Sequence, residues 1–287
     1  MKIASKLVGM FLLALMVSCS SSSDNVKSPV DDLIRDLDNV QDYTIILYDM
    51  DIEGDWSKTY KHKYKIVKNE DMDKSQLEAL ASKSDDENSA IAKDILKEPA
   101  TDSLLADGNT IPVPLAQKTE WKPVSERFFN IHANDMGMEI VSKVDGKVTR
   151  ETSPPGYSNY VGNTRYGNWR TDSSGNSFWA FYGQYAFMSN MIGLMSGPVY
   201  RTGYYDYHNN YRGVRPYYGS GTSTYGTFSP ASKKANPNFH QRVSNNSTFR
   251  SRVNNSVSRS TTARNTRSGS RYSSGSSRSR SSSSGGK

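Results

Sequence analysis

The chain has 287 residues, 35% of them hydrophobic, with 36 Lys/Arg against 29 Asp/Glu and a single cysteine. So low an apolar content excludes one uniformly packed unit and predicts a folded part joined to a long polar part. One cysteine excludes any intrachain disulfide, and the charge is segregated: residues 20–151 hold 17 basic and 27 acidic residues, whereas residues 207–287 hold 14 basic and none acidic.

Lys2 and Lys6 precede an eleven-residue apolar run, Leu7–Val17, which ends in Ser18-Cys19. A spanning helix needs about 20 apolar residues, so the run fits the apolar part of an export signal. A small residue before a cysteine at the end of such a run resembles the bacterial lipobox, with Met16 where that motif usually has Leu. The resemblance implies that residues 1–18 are a signal peptide and that Cys19 is lipidated with palmitate-type chains. Residues 19–29 are then a lipidated N-terminus and polar tether. One acyl chain binds a membrane marginally, and two or three hold it stably. Ser20 stands where the enterobacterial sorting rule reads Asp as inner-membrane retention. The implied address is the cell envelope, outer membrane over inner, with the leaflet open.

Residues 30–152 read as a small acidic α+β domain. Val30, Leu33, Ile34 and Leu37 have helical spacing. Tyr43–Ile52 is rich in β-branched and aromatic residues and reads as a strand with Thr44, Ile46, Tyr48 and Met50 on one face. Thr59–Val67 alternates, with Tyr60, His62, Tyr64 and Ile66 on one side and Lys61, Lys63 and Lys65 on an outer cationic side. The turn Glu53-Gly54-Asp55 predicts a hairpin between the two. Asp73–Glu98 reads as helix, broken at its polar middle and stopped by Pro99. Ala100–Pro123 reads as a proline-punctuated connection. Phe128–Ala133 and Met138–Val144 read as strands, the second turning at Asp145-Gly146 into Lys147–Glu151.

Composition changes at Ser153-Pro154-Pro155-Gly156. Residues 153–228 read as a Gly/Tyr-rich region holding an uncharged apolar helix over 176–197. On it Phe178, Phe181, Tyr185, Met188, Ile192 and Met195 form one stripe, a candidate interaction face. Gly183, Ala186, Asn190, Gly193 and Gly197 form a second stripe of mostly small residues. A core helix, a membrane-associated helix and a self-association seam all fit that pattern. Tyr200–Phe228 interleaves Tyr with Arg, which stack on sugar rings, bases or each other, or else form a linker. Residues 229–287 are Ser/Arg-rich with few large apolar residues, and disorder is expected there.

The layout from Gly175-Asn176-Ser177-Phe178-Trp179 through the Gly/Tyr stretch to the Ser/Arg tail, behind the cysteine, resembles the YgiB-type envelope lipoproteins. That resemblance covers roughly the last 110 residues and Cys19. It strengthens the address and implies no chemistry, because the family has none assigned.

No phosphate loop, G-x-S-x-G or S-x-x-K motif occurs. His62, His132, His208 and His240 have no Cys, His or Glu partner at ligand spacing, so no metal or other cofactor is expected. Asp49–Asp55 imitates the start of a calcium loop, but Tyr60 stands where the bidentate Glu belongs, and an acidic turn is expected instead. The expected fold class is thus α+β: a small antiparallel sheet with helices, an aromatic/Met-rich helix and a long disordered basic tail. The expected role is a membrane-anchored lipoprotein with a non-enzymatic, interaction or structural function and no small-molecule substrate. Residues 233–287 carry 12 basic residues and no acid. They suit an anionic lipid, lipopolysaccharide or another polyanion, or else fold back on the acidic domain. An envelope protein partner, reached as an accessory subunit of a membrane complex through helix 176–197, is the alternative; an enzyme with an unrecognised site is the third reading.

Overall fold

The computed structural model describes residues 28–54, 57–83, 86–191, 197–219, 224–243, 246–255 and 258. Cys19, the side chains of Ile192 and Met195, and residues 259–287 lie outside the described residues. The fold is α+β, a small antiparallel sheet with several helices.

Helix α1 (Pro29–Asp36) begins with proline in its first turn, has Asp31 and Asp32 at its positive end, and ends with Arg35 in its last turn. Strand β1 (Tyr43–Glu53) pairs antiparallel with β2 (Thr59–Met72) as the alternation predicts. The register slips between Leu47 and Asp49, so Tyr48 is an extra residue and a β-bulge. Beyond the bulge the pleat is inverted. Met50 therefore joins Tyr43, Ile45 and Leu47 in one cluster, and the expected face of Thr44, Ile46, Tyr48 and Met50 does not exist. On β2 the expected inner face holds, but Lys65 is buried under a later helix rather than outward, with its ammonium on Glu87.

Asp73 caps α2 (Lys74–Ala81) in a reciprocal box with Gln76, each bond 2.9 Å. Asp86 caps α3 (Glu87–Lys97) through Ser89 N–H at 2.7 Å, so the long helical stretch does split at its polar middle. Pro99 ends α3 and opens α4 (Pro99–Leu104). The proline-punctuated connection proves to contain an edge strand, β3 (Ile111–Lys118), where Pro112 and Pro114 are tolerated. Strand β4 (Lys122–Val124) follows on the same edge. Phe128–Ala133 is not a strand: Ser125 accepts from Phe128 N–H at 3.1 Å and starts α5 (Glu126–Ile131). Strands β5 (Glu139–Val144) and β6 (Lys147–Thr149) meet through Asp145-Gly146, both at positive φ, the geometry of a tight hairpin turn. The strand order is β3-β2-β1-β5-β6, with β4 also on β2.

The described residues of 153–228 build directly on this sheet. The expected helix over 176–197 is absent from its first part. Strand β7 (Gly167–Thr171) pairs instead with β8 (Ser177–Phe181), followed by a single turn at Gly183–Tyr185 and the short α6 (Met188–Met191). Trp169 pairs with Trp179 across the hairpin, and alternation puts Phe178 and Trp179 on opposite sides. Helix α7 (Arg201–Asn210) follows, so the Tyr-rich stretch is folded rather than a linker. Tyr157, Tyr160, Tyr166, Tyr185, Tyr207 and Tyr217 join Ile46, Val67, Leu77 and Ile95 in one core cluster.

The other face of the sheet carries Ile45, Leu47, Tyr64 and Ile66 and is covered partly by the chain's end. Disorder from Ser229 onward is corrected for residues 229–243 and 246–255. Helices α8 (Pro230–Ala235) and α9 (Pro237–Val243), and helical residues 247–255, bury Phe239, Val243, Phe249 and Val253 on that face. Asn236 donates at 2.9 Å to the carbonyl of the bulged Tyr48, and Arg242 pairs with Asp51 at 3.1 Å. The basic segment thus folds back in part on the acidic domain. Among the described residues, no helix is long and apolar enough to cross a membrane.

Candidate functional site

An open groove of about 740 Å³ lies where the β7–β8 turn meets the start of α7. Its walls are residues 175–177 on one side and Tyr200, Arg201, Thr202 and Tyr205 on the other. The turn is fixed from within. Asp172 Oδ1 accepts from Ser174 N–H at 2.9 Å and Asn176 N–H at 2.8 Å, and these bonds hold its carboxyl below the usual range. Gly175 has φ of +83°, which a side chain would strain. The opposite wall is nailed to β8: Trp179 N–H donates to Val199 at 2.8 Å, and Phe178 bridges Tyr200.

Arg201 is the groove's charged group. Its Nε and one terminal nitrogen donate to Tyr205 Oη at 3.1 and 2.8 Å, an i,i+4 contact on the first turns of α7. The guanidinium carbon lies 5.2 Å from the Tyr205 ring centre and 5.8 Å from that of Trp169. Trp169 in turn meets Trp179 edge-on at 5.2 Å and Tyr204 at 5.5 Å. Among the described residues no carboxylate pairs with Arg201. Tyr200 and Tyr205 stay 42% and 45% exposed, large for aromatic rings beside a packed core.

The histidines form a second, interior arrangement. His62 is fully buried between Phe128 and Phe129, with its ring 6.3 Å from that of His132. Its Nδ1 meets Tyr64 Oη at 3.2 Å, and its Nε2 has no partner among the described residues. Burial, then the nearby His132, pushes the His62 pKa well below the ordinary value. His132 Nδ1 bonds Asp135 at 2.8 Å, and the other Asp135 oxygen accepts from Tyr218 at 2.8 Å. A His–Asp pair can orient a base. Here the hydroxyl on His62 belongs to Tyr64, whose pKa burial drives far up. Among the described residues no group of three or more His, Cys, Asp or Glu could hold a metal ion.

Glu139 is the third buried group. It accepts from Gly156 N–H at 2.6 Å and Ser153 Oγ at 2.9 Å, fastening the 153–161 crossing to β5. Burial nevertheless pushes its pKa up to about 7. A lone acid inside Met138-Glu139-Ile140-Val141 was the sequence signal for it.

Of the expected interaction face, the four described residues do not share one exposed surface, and Ile192 and Met195 lie outside the described residues. Tyr185 and Met188 are core residues, and Phe178 and Phe181 are half-buried on opposite sides of β8. An apolar period of three and four was satisfied by a strand, a turn and a short helix that all pack inward. The groove residues were legible only as an Arg among tyrosines after a turn. No family model, no curated protein and no solved structure matches this chain.

Proposed function

We propose that the chain is a lipid-anchored envelope protein that acts by binding rather than by catalysis. The Leu7–Cys19 stretch supports the address. The observation that carries the binding reading is Arg201, held on Tyr205 at the rim of an open groove with no carboxylate paired to it among the described residues. The buried histidine and glutamate pairs serve packing in this reading, since neither lines the groove. Residues 259–287 hold seven basic residues and no acidic one, a composition suited to polyanions.

Labelling with a fatty-acid analogue and fractionation of envelopes test the anchor. The wild-type chain carries label and sediments with membranes, and Cys19→Ser loses both; a Cys19→Ser chain that keeps label sinks the lipoprotein reading. Deleting residues 259–287 tests this segment and keeps every described helix in the chain. Binding to anionic vesicles or lipopolysaccharide falls and loses its salt dependence. Unchanged binding removes this segment from the function.

A further inference from the structure

We infer that the groove between the β7–β8 turn and α7 is a binding site for an anionic saccharide, which names the ligand class for the binding reading above. Three features converge on that chemistry. The first is ring surface. Tyr200 and Tyr205 are exposed on one wall, and pyranose C–H faces pack on such rings. The second is a fixed cation. Arg201 is oriented by two hydrogen bonds to Tyr205 and by the Trp169 ring, so its free N–H edge is already set before a ligand arrives. A guanidinium matches a carboxylate or phosphate in a two-pronged geometry that a neutral sugar does not offer. The third is a polar opposite wall of small residues. Gly175, Asn176 and Ser177 have no bulk to fill the groove, and nothing crowds Gly175 within 4 Å.

The charges around the groove favour an anion. Arg170 is exposed on β7, in register with Phe178, which itself bridges Tyr200. The carboxylate of the turn, Asp172, is engaged by Ser174 N–H, Asn176 N–H and the Asn176 side-chain amide. Its oxygens are thus held by donors of its own loop. The volume suits two or three sugar rings rather than a long chain buried end to end.

The test uses the full chain purified in detergent, with tryptophan emission as the readout because Trp169 lies against Arg201. The probes are a glucuronate-containing trisaccharide, a hexose phosphate, a neutral trisaccharide and inorganic phosphate. The expected result is saturable binding of the first two, at least tenfold tighter than the neutral sugar or phosphate alone. Comparing the first two distinguishes a uronic acid from a phosphorylated sugar as the source of the charge. Arg201→Gln should weaken both at least tenfold, and Tyr205→Ala should weaken both while leaving the far-UV spectrum unchanged. Equal binding of the neutral sugar overturns the role of Arg201. Equal binding of inorganic phosphate overturns the saccharide. Binding unchanged in both variants, or absent for every probe, overturns the site. Fatty-acid labelling reports on Cys19 independently, so a silent groove on a lipidated chain overturns this inference and leaves the address intact.

Discussion

The two faces of the sheet are built from different materials. One is covered by Phe, Ile, Val and Met, with Phe129, Phe239 and Phe249 meeting over β1 and β2. The other is covered largely by tyrosine, drawn from a stretch also rich in Gly, Asn and Ser. Tyrosine buries nearly as much apolar surface as phenylalanine, provided its hydroxyl finds a partner. Here those partners exist: Tyr157 to Tyr225 at 2.8 Å and Tyr160 to Asn69 at 3.2 Å. A sequence with mean hydropathy of −0.71 can therefore carry two packed faces, because hydropathy scores the hydroxyl and not the ring.

The contrast can be broken first on the Phe side. Phe249→Ala should cost about 3–5 kcal/mol, as for other buried Phe truncations, measured by urea unfolding. A chain whose residues beyond 229 contributed nothing would show no change. On the tyrosine side Tyr160→Phe keeps the ring and leaves Asn69 without its donor, for a loss of about 1 kcal/mol. A loss as large as that of Phe249→Ala would mean the hydroxyls, not the rings, hold that face.

Each face also hides a titratable group with a shifted pKa, Glu139 on one and His62 on the other, and these two respond oppositely to pH. Glu139, beside the tyrosines, has its folded pKa raised to about 7, above the carboxylate value of 4.5. The folded state holds the proton more tightly, so stability falls as pH rises from 4.5 through 7, by about 3 kcal/mol in all. Glu139→Gln should flatten that limb and raise stability at pH 8. His62, on the Phe face, has its folded pKa pushed well below 6.5. Its contribution is present above 6.5 and is lost as pH falls below it. His62→Gln should flatten the acid limb and leave the alkaline limb alone. Urea midpoints from pH 4 to 8 read both, and a wild-type profile without either limb would overturn both assignments. The smallest effect belongs to the groove. Arg201→Gln, exposed and packed on no core residue but Trp169, should change stability within about 0.5 kcal/mol.

What the sequence made legible follows the same division. The strict alternation of Tyr60, His62, Tyr64 and Ile66 named both strand and face, and Asp73 with Gln76 announced a helix start. The bulge at Tyr48 left no local mark, because its carbonyl is satisfied by Asn236 from the far end of the chain. Strand β3 was hidden by Pro112 and Pro114, which only an edge position admits. Helix α5 was hidden by the β-propensity of Phe128-Phe129-Asn130-Ile131, although Ser125 marked its cap. The hairpin β7–β8 was overwritten by an accidental helical period, although Asp172 to Asn176 with Gly175 is turn chemistry. The last helices were dismissed on composition, although Phe239 with Val243 and Phe249 with Val253 each stand four apart. The groove was out of reach for a different reason: it exists only once Trp169 is delivered by β7 against Arg201 on α7, 32 positions later.

The bond from Asn236 to Tyr48 also has a consequence in time. It spans 188 positions, and the same Phe face stays uncovered until Phe249 and Val253 exist. Contacts so distant in sequence form late, since the loop between them must close first. The Phe face is therefore the last part of the sheet to close, and a chain still lacking residues 236–253 keeps its sheet open on that side.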